Sequence, residues 1–449
     1  MRTLHHRAPP DETESFSCMN QLADWLHLPV FFFLVLLLWR SAKGQANAWV
    51  FWSALLFKLS CGVLLGWVYL HYLGGGDTWV YHQQAFKVKE VASQNLGQYF
   101  RLLLFNETDN IPIGFTKWRD YSNSFFFLKL LSVVCLLTNN SYWFSSLYLS
   151  LFSFWGCWFL VRKVQEHYPD FGMGAIIAFL FFPSVVFWTS GITKDAVFMG
   201  SLCLTVGLFL KLYKTKSVTE TTRGLLLLLP CVWLLWRIKF FLTAVLLVLL
   251  VTFLFVKWLV RRVDWLRPAI RQFMIWLGLL TAGAFIASFA HPTFKLDFFA
   301  KHILWNYRNL SAKTDLSNPH LEFPNLEPNL VSILQHAPEA VLQMLVRPLL
   351  WEPARFFYKA MALENTALLL TILLTVFQLL KNLKKPVLPS FLAVLLVFFC
   401  IAAVLVTLPT PNLGSLHRYR APLLPFFLLV VISWGPIPHW IKRLSSRRE

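Results

Sequence analysis

Residues 387–408 read VLPSFLAVLLVFFCIAAVLVTL, a run without a charged side chain. About 20 helical residues cross the roughly 30 Å hydrocarbon layer of a bilayer, and this run has that length. Backbone in lipid has no water to bond, so such a run folds as a helix. The alternating pattern of a barrel strand is absent. The whole chain agrees, with 57% hydrophobic residues, 14% charged residues and a mean hydropathy of +0.56. A soluble domain carries about 25% charged residues. The sequence therefore predicts an all-α polytopic membrane protein.

Outward from that run, lysine and arginine set the sides, because cytoplasmic loops collect them. The tail at 437–449 holds Lys442, Arg443, Arg447 and Arg448 and reads as cytoplasmic. Apolar runs at 421–436, 387–408, 365–380, 272–290, 240–256, 224–236, 195–210, 173–190, 142–161 and 49–72 then alternate across the membrane. The short run at 28–39 is a further span or an inner surface helix, so about ten or eleven spans are expected in a bundle over 28–436. The polar segment 1–27 ahead of it is too acidic to open a cleavable signal peptide. Two long segments, 73–140 and 291–364, fall outside. The first contains an apolar stretch, Phe125 to Thr138, that is short for a span and reads as re-entrant or interfacial, the alternative being a span that would put Arg40 and Lys43 outside. The second contains Leu330 to Leu350, apolar at helical spacing, which lies on the membrane surface or packs on the bundle. Both outer loops are thus expected to carry juxtamembrane helices.

The net charge is +19 and the pI about 9.8. In a soluble chain that balance points to nucleic acid. Here the basic residues fall in short inner loops, so no nucleic-acid partner is implied. The seven cysteines have no repeated spacing, and Cys61, Cys135, Cys157, Cys203, Cys231 and Cys400 lie in apolar runs as packing residues. The sequence has no P-loop, dinucleotide fingerprint, HExxH or GxSxG. That argues against an ATP-driven pump, a dehydrogenase, a zinc protease and a nucleophile-elbow hydrolase.

Charges on the outer side run against the positive-inside pattern and mark candidate function. Asp77 follows Gly74-Gly75-Gly76, with Trp79 and Tyr81 beside it. Glycines permit a sharp bend or a close ligand approach; the plainer reading is a helix stop with an Asp N-cap. Lys194-Asp195 opens a span after Pro183 and Trp188. An acid is favoured at a helix N-terminus but a lysine is not, and the pair could hold a phosphate. Arg237 and Lys239 sit in a tight outer turn, and His417-Arg418-Tyr419-Arg420 precedes the last span. Both clusters suit an anionic ligand, or serve as interfacial anchors. Glu352, within RPLLWE, is a catalytic candidate or a salt-bridge partner, and Glu364 follows it. Lys58 is the exception to a pattern of charges at span ends.

This layout resembles the GT-C class of membrane glycosyltransferases, which includes protein mannosyltransferases, aminoarabinose transferases and oligosaccharyltransferases. The likeness covers roughly residues 49–435: a large first outer loop with an early acid (Asp77), a second acid opening a later span (Asp195), a long loop at 291–364 and a late basic cluster at Arg418 and Arg420. FFPSVVFWTSGITKD together with RPLLWE also looks like bacterial membrane proteins of envelope polysaccharide loci. The resemblance implies inverting transfer of a sugar from a polyprenyl-phosphate donor to a glycan, lipid or protein acceptor, at the outer face of a plasma membrane. Asp77 would be the general base. Lys194, Arg237, Lys239, His417, Arg418 and Arg420 would hold the phosphate. Asp195 would orient Lys194 or meet the acceptor, and Trp79, Tyr81, Trp188 and Glu352 would contact sugar or acceptor. Thr78 stands where the class often repeats the first acid, and Lys194-Asp195 replaces an Asp-x-Asp pattern. The class admits a divalent metal, but no such pattern indicates one here, and no other cofactor is implied. An O-antigen-type polymerase or ligase and a lipid-linked-sugar transporter are the alternatives.

Overall fold

A computed structural model describes residues 27–42, 48–107, 116–118, 121–215, 217–290, 295–314, 318–352, 356–381 and 387–445. Residues 1–26 and the basic pair Arg447 and Arg448 lie outside the described residues. The first helices are α1 (His27–Ala42), α2 (Ala48–Tyr72), α3 (Gly76–Gln94), α4 (Leu96–Phe105), α5 (Asn123–Leu137) and α6 (Tyr142–His167). Two short pieces follow, α7 (Gly172–Ile176) and α8 (Pro183–Trp188), joined by a π-helical turn at Ile177–Phe181. Then come α9 (Lys194–Lys214), α10 (Val218–Ile238), α11 (Phe240–Val260), α12 (Ala269–Ala290), α13 (Leu296–Ser311) and α14 (Leu330–Val346). The last are α15 (Phe356–Lys381), α16 (Ser390–Thr407), α17 (Leu413–Arg420), α18 (Leu424–Trp434) and α19 (Ile437–Ser445). The fold is all-α and polytopic, as the apolar runs predict.

Among the described residues eight helices are long and apolar enough to cross a membrane: α2, α6, α9, α10, α11, α12, α15 and α16. The pair α17 and α18, bent by 69°, makes a ninth when counted as one span. The expectation of ten or eleven counted two further runs that fall short of that measure. The run at 28–39 forms α1, of 16 residues. The run at 173–190 is interrupted because Pro183 has no N–H and holds Phe182 extended (φ −70°, ψ 120°).

Contacts nevertheless fix how both segments run. Tyr148 Oη donates to the His27 carbonyl at one end of α1, and Arg162 donates to the Ser41 carbonyl at the other, so α1 lies parallel to α6. α6 and α9 are also parallel. A Cβ on Gly156 would overlap the Gly200 carbonyl, and one on Gly207 would meet Phe159 and Leu160. Small residues let membrane helices approach this closely. Because two consecutive long helices run the same way, the interrupted segment between them returns the full height of the bundle.

α5 does not cross. Asn123 Nδ2 donates to the Ile238 carbonyl (3.2 Å), and Thr138 at the other end bonds Ser145 (2.7 Å) in the first turn of α6. Both ends of α5 therefore sit at one end of the bundle, as a re-entrant stretch would. Lys129, the charge within it, points its Nζ at the Leu103 carbonyl (2.7 Å) and Asn106 Oδ1 (2.6 Å), closing the C-terminus of α4. A helix end leaves carbonyls without intrahelical partners, and a cation there is favourable. In the second loop, α14 buries Ile333, Ala340, Met344 and Leu345 and leaves Val331, Leu334 and Leu342 exposed. It thus packs on the bundle and keeps an outward apolar face.

Candidate active site

Four elements far apart in sequence end together. They are the start of α3, the start of α9, the α10–α11 turn and α17. Three consecutive glycines turn the chain after α2, Gly74, Gly75 and Gly76, with φ of 60°, 83° and 45°. That backbone region is open to glycine and strained for most other residues. The turn sets Asp77 in the first helical turn of α3, where the dipole favours a carboxylate. Thr193 caps α9 by accepting from the Ala196 N–H (3.0 Å), which fixes Lys194 and Asp195 at the helix start.

Arg418 is the hub. Its Nε donates to Asp195 Oδ2 (2.9 Å). Its Nη1 donates to Asp77 Oδ2 (3.1 Å) and to Tyr69 Oη (3.2 Å). Lys239 Nζ lies 2.7 Å from Asp195 Oδ1. Lys194 Nζ has neutral partners instead, Ser124 Oγ (3.2 Å) and Asn123 Oδ1 (3.4 Å), and sits over the Tyr81 ring. Asp77, Tyr81, Asn123, Lys194, Asp195, Lys239 and Arg418 line a cavity of about 290 Å³ with Tyr419, Thr410 and Pro409. Asp77 faces it with a carboxyl 59% exposed, whereas the Asp195 side chain is 2% exposed. The two acids therefore differ in kind: Asp77 can meet a second molecule, and Asp195 is enclosed by cations.

A second groove of about 560 Å³ adjoins the cavity and shares Asn123, Ile238, Lys239, Leu242, Leu405, Val406 and Pro409 with it. It continues along Trp236, Phe240, Phe241 and Phe299. Arg237 lines this groove rather than the cavity, its guanidinium over the Phe126 and Tyr121 rings.

Several expected site residues lie elsewhere. His417 and Arg420, three apart on α17, share the face opposite Arg418 and point into the bundle. Arg420 donates to Asn365 Oδ1 (2.5 Å) and the Met344 carbonyl (2.7 Å) and lies 3.5 Å from Glu364. His417 Nδ1 accepts from Trp188 Nε1–H (3.0 Å), and its Nε2 faces Glu364 at 3.6 Å. So His417, Arg420 and Trp188 belong to a buried network, not to the cavity. Trp79 is stacked on Tyr142 (3.9 Å between ring centroids) and donates to the Gly66 carbonyl (3.1 Å), so one of its faces is already covered. Glu352 pairs with Arg347 Nε through both oxygens (2.9 and 3.1 Å), as the plainer reading has it. Asp195 does not orient Lys194; it holds Lys239 and Arg418. Tyr69, Asn123, Ser124 and Thr410 were not foreseen. They carry no charge; only the packing brings Asn123 and Thr410 to the cavity wall, Tyr69 onto Arg418 and Ser124 onto Lys194.

Among the described residues no three His, Cys, Asp or Glu side chains gather in a way that could hold a metal ion. No protein-family model, curated protein or solved structure matches this chain.

Proposed function

We propose that the protein is a membrane glycosyltransferase that moves a sugar from a polyprenyl-phosphate donor to an acceptor hydroxyl in the cavity at Asp77. One observation carries this reading. Residues 77, 194, 195, 239 and 418 converge on one cavity at one end of a membrane bundle, beside a groove with an aromatic wall of Trp236, Phe240, Phe241 and Phe299 and with Arg237, His302 and Asn306 also lining it. A lipid-linked phosphate needs cations for its head and an apolar track for its chain, and these adjoin here. The GT-C resemblance implies the same acid, and three of the six phosphate-binding residues it implies, Lys194, Lys239 and Arg418, line this cavity. The outer face of a plasma membrane is the setting that resemblance implies.

In this mechanism Asp77 takes the proton of the acceptor hydroxyl as that oxygen forms its bond to the anomeric carbon. The bond from that carbon to the donor phosphate breaks, and its electron pair leaves with the phosphate. Lys194 and Arg418 face the growing charge on the leaving oxygen. Lys239 and Asp195 keep Arg418 in position. The groove along Trp236, Phe240 and Phe241 receives the hydrocarbon chain. One feature favours a transporter instead: the interrupted segment around Phe182, since transporters build sites at broken helices. The charged residues of the cavity, however, sit at helix ends and not at such a break.

The test is transfer of radiolabel from polyprenyl-phosphate sugars to envelope lipid by protein reconstituted in bilayers. Wild type is expected to transfer, and folded Asp77→Asn to lose nearly all activity. Equal transfer by both would remove Asp77 from the chemistry and favour a polymerase or ligase that works through arginine.

A further inference from the structure

The cavity has an uneven charge count. Lys194, Lys239 and Arg418 face Asp77 and Asp195, which leaves one positive charge over. Asp195 has both oxygens engaged and is enclosed. Asp77 is the loose member: its carboxyl is 59% exposed and reaches Arg418 through one oxygen onto one nitrogen. It stands directly after a turn of three glycines at positive φ, in the first turn of α3. Lys194, across the cavity, has no carboxylate within bonding distance among the described residues.

From this we infer that the cavity takes a singly charged phosphodiester by exchange, its phosphate oxygen replacing the Asp77 carboxylate on Arg418 Nη1 while a second oxygen meets Lys194. The inference rests on the sugar-transfer reading for its substrate, but not for its anion chemistry. A monoanion brings the cavity to neutrality. A diphosphate diester, with two charges, would leave one negative charge uncompensated beside the enclosed carboxylate of Asp195. Exchange also has a consequence for the reaction. Asp77 is tied to a guanidinium while the site is empty and is released as a base only when the donor is seated. Donor must then bind before acceptor is activated.

The experiment measures binding by calorimetry to full-length protein in lipid nanodiscs. The probes are a short dialkyl phosphodiester, a monoanion, and the matching P1,P2-dialkyl diphosphate, a dianion. Wild type should prefer the diester. Asp77→Asn leaves Arg418 without its competitor and raises the cavity charge by one. It should bind the diester about tenfold tighter, the worth of one charge-assisted hydrogen bond, and shift its preference toward the diphosphate. Lys194→Gln should weaken the diester by about tenfold or more. Unchanged or weaker diester binding in Asp77→Asn, or no change in preference, would overturn the exchange. Melting temperatures with and without probe show that each variant is folded. Phosphatidylglycerol and a short isoprenyl phosphoryl sugar are run as separate competitors. Competition by the sugar compound alone assigns a sugar-linked diester, competition by both assigns a phospholipid headgroup, and either upholds the exchange. Inverted preference without any sugar transfer would keep the exchange and remove the transferase reading.

Discussion

His82 and Arg420 are buried for opposite reasons. His82 lies on α3, five residues past Asp77, and its ring packs against Tyr142. Burial pushes its imidazole down to about 4, against a smaller opposing effect from a hydrogen bond with the Asn140 backbone. Between pH 6.5 and 4 the unfolded chain then binds more protons than the folded one, so stability falls as pH falls through that window. The full loss is about 3 kcal/mol. His82→Gln should remove that acid sensitivity, which melting temperatures at pH 7 and pH 4.5 would reveal. Arg420 is 1% exposed and faces Glu364. Arg420→Met leaves that carboxylate buried without its cation and should cost about 3–5 kcal/mol of stability. Arg418→Lys keeps a charge but cannot bridge Asp77 and Asp195. It should lower turnover about 100-fold at near-wild-type melting temperature, the loss of one transition-state donor being worth about 3 kcal/mol. At this scale the sequence was partly legible. Asp77, Lys194, Asp195, Lys239 and Arg418 stand out because a charge at an outer span end needs a reason. The separation of Arg418 from His417 and Arg420 depends on the rotational phase of a short helix, and no periodic run reveals that phase.

Elements were easiest to read where length alone decides them. The run at 387–408 becomes α16, and Phe125 to Thr138, too short to span, becomes α5 with both ends at one end of the bundle. Harder was 173–190, where apolar composition suggests a continuous span but Pro183 interrupts it. Its crossing follows only from the parallel run of α6 and α9, a tertiary fact. That pairing depends on Gly156 and Gly200 in contact. Gly156→Val would force the two helices apart, with a cost at the upper end of the about 1–3 kcal/mol typical of overpacking. The expected result is a lower melting temperature together with a fall in the proposed transfer activity, because α9 carries Lys194 and Asp195.

For the molecule as a whole, the basic loops and the cavity occupy opposite ends. Arg162 and Lys163 end α6, Lys214 lies over the Tyr168 ring, and Lys257 bonds Gln272, all away from Asp77. In a cysteine-free background, single cysteines at Tyr121 and Asn139 should react with an impermeant maleimide from one face of the membrane. Single cysteines at Lys163 and Lys214 should react from the other. Labelling of residues 121 and 139 from opposite faces would mean that α5 crosses after all. One further consequence concerns time. Asp195 and Arg418 are 223 positions apart. A ribosome adds about 5–20 residues per second, so Asp195 is in the membrane for roughly 10–45 s before its guanidinium exists. Lys239 follows Asp195 by 44 positions and is its one ion-pair partner for the rest of that interval, and the cavity has no hub. The site is therefore completed late, and a nascent protein halted before α17 holds Lys194 and Lys239 but lacks the guanidinium that joins Asp77 to Asp195.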